Sequence, residues 1–93
     1  MPRRADPGLP GAELVEVGLA DLERGVESTE ALLVSIGAPR LRALGIVVSA
    51  PLESPERRLY ELLAADDSDA AHSRYNALLR RLVSYERAAE CAS

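Results

Sequence analysis

Residues 12–36 read AELVEVGLADLERGVESTEALLVSI, and along them Ala12, Val15, Leu19, Leu22, Val26, Thr29, Leu33 and Ile36 recur at alternating three- and four-residue steps. That is the period of a helix burying one stripe. Near the other end, residues 70–90 read AAHSRYNALLRRLVSYERAAE and repeat the pattern through Ala71, Tyr75, Leu78, Leu82, Tyr85 and Ala89, with Leu79 beside them. Two such stripes predict an all-α fold.

Gly18 and Gly25 fall inside the first stripe, where each costs about 1 kcal/mol relative to alanine. Two readings follow: the pair lets a neighbouring helix approach closely, or the helix is kinked or begins only near Leu19. Gly37 followed by Pro39 reads as a helix stop, because glycine accepts a left-handed cap and proline cannot continue the hydrogen-bond ladder. A short helix over 39–44, closed by Gly45, is expected next. The β-branched run Ile46-Val47-Val48 has no second strand to pair with and reads as an extended, partly buried connector.

Ser54-Pro55 has the form of an N-cap followed by proline at the first helical position, opening a helix over 55–65 that turns Leu59, Leu62 and Leu63 inward. Asp66, Asp67, Ser68 and Asp69 then interrupt the pattern, with Ser68 or Asp69 expected to cap the last helix. The expected architecture is a small helical bundle: two long antiparallel helices, 12–36 and 70–90, with two short ones, 39–44 and 55–65, crossing one end. Residues 1–10, broken by three prolines and a glycine, read as a flexible N-terminal tail, leaving 11–93 as a single helical domain.

The composition of this 93-residue chain, 47% apolar and 28% charged, is that of a folding globular domain. A chain this short buries only about 60–65% of its unfolded surface, so a second copy is expected to complete the core as a homodimer. All 11 basic residues are arginine. Beside abundant Ala and Leu this marks GC-rich codon usage, and a bacterial source is expected. Cys91 is the single cysteine and no Cys/His spacing suits zinc, which fits a reducing, cytoplasmic setting. Arg3 and Arg4 are followed by Asp6 and Pro7 rather than by the apolar run of an export signal, and no stretch is long enough to span a bilayer.

Charge is unevenly placed. Residues 12–36 carry six carboxylates against Arg24, a balance of −5, whereas residues 70–90 carry Arg74, Arg80, Arg81 and Arg87 against Glu86 and Glu90, a balance of +2. The two helices are expected to pack together, although exposed ion pairs give only about 0–1 kcal/mol each, against about 1.5–3 kcal/mol for a buried Leu or Val. The formal charge of −4 gives no generic drive toward nucleic acid or anionic lipid.

No constellation of catalytic chemistry emerges. His72, the only histidine, lacks the partners of a general base or a metal ligand and reads as a solvated or capping residue at a helix start. The acidic cluster at 66–69 lacks the glycine and distal glutamate of a calcium loop, and reads as capping chemistry. Cys91 lies beside Glu90 near the end of the sequence and reads as incidental rather than reactive. No catalytic, cofactor or metal residues are therefore assigned.

The expectation is a non-enzymatic helical interaction module, self-associating or binding a helical partner and without a membrane role. Its packing residues would be Val15, Leu19, Leu22, Val26, Leu33, Ile36, Tyr75, Leu78, Leu82 and Tyr85. The alternative is a small nucleic-acid-associated regulator or antitoxin-like partner, contacting an anion through Arg74, Arg80, Arg81 and Arg87. A helix-turn-helix is disfavoured because Gly45 to Ser54 separates the two candidate helices. Of the tyrosines, only Tyr60 is expected to be free to stack on a base.

Overall fold

The computed structural model describes residues 8–92 of the chain. Its elements are α1 (Ala12–Glu23), α2 (Thr29–Ala43), α3 (Pro55–Asp66) and α4 (Ala71–Ala92), with no strand among the described residues. The chain is an all-α bundle. The expected tail over 1–10 falls mostly outside the described residues. Of its described end, Leu9 packs against the core and its carbonyl accepts the Ala12 amide at 3.2 Å.

The third and fourth helices lie where the residue pattern puts them, but the single helix over 12–36 is corrected to two. After Glu23 the chain turns at Gly25, whose φ of +70° is left-handed backbone that an L side chain rarely adopts. There the Gly25 amide donates to the Leu22 carbonyl at 3.1 Å and the Val26 amide to the Asp21 carbonyl at 2.8 Å, satisfying the last carbonyls of α1. Ser28 then starts α2 as a true N-cap, its hydroxyl accepting from the Ala31 amide at 3.0 Å and donating to Asp21 Oδ2 at 2.6 Å. Asp21 also takes the Arg24 guanidinium, so one carboxylate knots the end of α1 to the start of α2.

The stop expected at Gly37-Pro39 and the separate helix over 39–44 are likewise corrected. Helix α2 runs through both to Ala43, carrying Pro39 inside it. Continuing the helix keeps Ala38 and Leu41 buried, and that packing outweighs the hydrogen bond an interior proline removes. Its actual end repeats the α1 device: Gly45 at φ +88°, the Gly45 amide on the Arg42 carbonyl and the Ile46 amide on the Leu41 carbonyl, each at 3.0 Å. Ile46 and Leu41 are both buried there.

Gly18 settles the first of the two glycine readings. A Cβ built on it would lie 2.4 Å from the Glu30 carbonyl oxygen and 2.4 Å from Val34 Cγ2, so α1 and α2 cross with almost nothing between their backbones. The neighbour that approaches is the second half of the same stripe, folded back. Gly25, with nothing within 4 Å of such a Cβ, serves the turn alone.

Helix α2 is the hub. It packs against α1, α3 and α4, whereas α1 and α3 do not meet. Its run Ala31, Leu32, Leu33 and Val34 is fully buried, which is what a helix covered on several sides requires. Gly37 lets α4 in, with Leu82 methyls 3.0 Å from where its Cβ would stand. The connector after α2 alternates buried Ile46, exposed Val47 and buried Val48. Ser35, buried in α2, accepts the Leu52 amide at 3.0 Å and donates to the Ala31 carbonyl at 2.8 Å, while Arg42 donates to the Val48 carbonyl at 2.8 Å. Ser54 precedes α3 in left-handed backbone and makes no side-chain cap, a correction to its expected role. The radius of gyration is 12.7 Å, near the roughly 13 Å of a compact 100-residue domain.

Candidate functional site

Charged side chains divide into those spent inside the fold and those left on its outer faces. The Glu27 carboxylate takes Arg58 of α3 at 2.6 Å, Glu90 takes Arg40 at 2.5 Å, and Asp66 takes Arg74 at 2.7 Å across the α3–α4 turn. Ser28 and Arg24 hold the Asp21 carboxyl below its ordinary range, and Arg58 does the same for Glu27. Burial pushes the Glu86 carboxyl up, opposed by Arg40.

The acidic 12–36 segment and the basic last helix do pack together, α4 meeting both α2 and α1, but not through their opposite charges. No ion pair among the described residues joins a carboxylate of 12–36 to an arginine of α4; Arg40 of α2 reaches Glu90 of α4 instead, and Glu27 is met from α3. The surplus charges therefore stand outward. On α1, Glu13, Glu16 and Glu23 are exposed; Val17, itself 46% exposed, has Glu13 one turn before it and Arg24, paired with Asp21, two turns after it. On α4, Arg80, Arg81 and Arg87 are exposed; Arg80 and Arg87 lie one turn to either side of Val83, itself 41% exposed, while Arg81 stands on another side of the helix. None of Glu13, Glu16, Glu23, Arg80, Arg81 and Arg87 forms an ion pair with a described residue.

The sequence-predicted packing residues scatter across burial classes. Val15, Leu22, Leu33, Leu82 and Tyr85 are buried in the chain's own core, and Leu19, Ile36, Tyr75 and Leu78 pack against it half-buried. Val26 is corrected: it follows Gly25 in the turn and is 43% exposed, because the stripe that included it does not continue as helix. Tyr60 is not free, as expected for a base-stacking ring, but meets Tyr75 edge-on with ring centres 5.7 Å apart. Burial raises the Tyr75 hydroxyl pKa. Of the four proposed anion contacts, Arg74 is engaged with Asp66, while Arg80, Arg81 and Arg87 form no ion pair with a described carboxylate.

The remaining polar candidates do local work. Asp67, rather than Ser68 or Asp69, closes the turn before α4, its Oδ1 accepting the amides of Asp69 at 3.1 Å and Ala70 at 3.3 Å. His72 is exposed and bonds Asn76 at 3.2 Å. Cys91 is exposed and free. Among the described residues no group of His, Cys, Asp and Glu is placed to hold a metal ion, and no helix is long and apolar enough to cross a membrane. A shallow depression of about 440 Å³ lies between the end of α2 and α4, lined by Arg40, Ala43, Leu44 and Glu90, and the Arg40–Glu90 pair fills its polar side.

What the arrangement offers is two exposed helix surfaces, mostly acidic on α1 and mostly basic on α4, each with one exposed valine. The signals that announce them in the sequence are the unbalanced charges themselves. The signal of the α1–α2 break, Gly25 followed three residues later by Ser28, is a stop and a start that the unbroken apolar period conceals. Compared with models of known protein families, with curated proteins and with solved structures, the chain finds no match.

Proposed function

We propose that the chain is a non-enzymatic helical protein–protein interaction module that associates with itself, as expected of a small bacterial cytoplasmic protein. The observation that carries this reading is the exposed charge on α1 and α4, which forms no ion pair with a described residue. Uncompensated charge of one sign around exposed apolar surface favours a complementary surface, steering it in and fixing its register. The ionisable residues that read as candidate chemistry are occupied in caps and pairs instead: Asp67 in a turn, Asp66 with Arg74, His72 with Asn76.

Because most of the stripe residues lie in or against the chain's own core, support for a partner comes from these exposed surfaces. Light scattering through the micromolar range tests it. A mass above the 10.0 kDa of one chain is the expected outcome, and a constant 10.0 kDa overturns self-association.

A second reading, a nucleic-acid-associated regulator or antitoxin-like partner, is favoured by one observation: exposed Arg80, Arg81 and Arg87 share a helix and pair with no described carboxylate. Duplex DNA binding that weakens steeply with salt and is lost in the Arg80→Ala/Arg87→Ala variant would promote it.

A further inference from the structure

Glu16 and Glu23 are seven residues apart on α1, and Arg80 and Arg87 are seven apart on α4. Seven residues of helix rise about 10.5 Å, just under two turns, so each pair stands along one edge at the same spacing. Between the acids lies Ala20 and between the arginines Ser84, both exposed and both small enough for two helices to approach. Val17 and Val83 flank the two edges and supply apolar surface to cover.

Other charges of the chain are paired, as Glu27 with Arg58 and Asp66 with Arg74 show. Glu16, Glu23, Arg80 and Arg87 form no ion pair with a described residue. A second copy supplies the opposite charge to each.

Resting on the reading of the chain as a self-associating module, we propose that α1 of one copy docks antiparallel on α4 of another. In that register Glu16 of the first copy meets Arg87 of the second, and Glu23 meets Arg80. Antiparallel packing also sets the helix dipoles in their favourable sense. The contact joins two different faces and opposes like faces meeting: repeated about a two-fold axis it is made twice in one dimer, and repeated head to tail it adds further copies.

The test is charge reversal on these four exposed positions, with circular dichroism reporting helix content. Glu16→Arg/Glu23→Arg makes both faces basic, Arg80→Glu/Arg87→Glu makes both acidic, and each alone is expected to remain at 10.0 kDa by light scattering. Mixed in equal amounts they are expected to regain the wild-type mass. That mass should itself fall toward 10.0 kDa between about 0.01 M and 1 M salt, over which the screening length shrinks from about 30 Å to 3 Å.

Assembly of both reversed variants on their own, or failure of the mixture to reassemble, overturns this contact while leaving the module reading in place. A wild-type chain that stays at 10.0 kDa in low salt overturns both. A monomeric chain that binds labelled duplex DNA through Arg80 and Arg87 overturns the contact and assigns the basic face to nucleic acid.

Discussion

Gly18 and Gly25 look alike in the sequence and behave oppositely in the fold, so alanine at each gives a paired measurement. In one unbroken helix either replacement would stabilise by about 1 kcal/mol. Here Gly18→Ala drives a methyl into the Glu30 carbonyl and Val34, which can only be relieved by moving backbone. Such overpacking costs about 1–3 kcal/mol. Gly25→Ala meets open space and loses only the left-handed conformation, about 1 kcal/mol. Thermal or urea melts should rank wild type above Gly25→Ala and Gly25→Ala above Gly18→Ala; a gain at either position would mean that α1 and α2 are not folded back on one another.

At the level of helices, periodicity located α3 and α4 to within two residues because each is amphipathic and faces the core with one stripe. It misplaced the first break because Val26 and Thr29 continue the three-and-four rhythm across a turn, a coincidence of spacing that burial does not respect. It also gave Pro39 too much authority. Local propensity ends a helix at such a residue, but tertiary packing of Ala38 and Leu41 carries α2 past it. Pro39 is exposed, and Pro39→Ala should restore the backbone donor and raise stability by about 1–2 kcal/mol, after allowing for the looser unfolded chain. A melt unchanged or lowered by that substitution would show that the proline is needed for the shape of α2. The outward charges of α1 and α4 were legible as composition; their isolation was not, since which arginine reaches which acid depends on how the helices cross.

For the molecule as a whole, buried and paired carboxylates pull stability in opposite directions with pH. Asp21 and Glu27 are held below their ordinary values of 3.8 and 4.5, so what they contribute is present above those values and is lost as pH falls through the lower folded ones. Glu86 is raised above 4.5 by burial, so its ionised form weighs against folding at neutral pH, and that penalty lifts as pH falls through its folded value. Glu86→Gln should therefore raise the melting temperature at pH 7, with the gain fading to nothing below pH 4.5. An equal gain at all pH values would assign the effect to packing rather than to charge.

Because α2 is wrapped by the other three helices, no local fluctuation that frees one neighbour uncovers it. In deuterated water the amides of Leu32, Leu33 and Val34 should be the last to exchange, and their rate would report the free energy of complete unfolding, whereas fraying at the ends of α1 and α4 proceeds on its own clock.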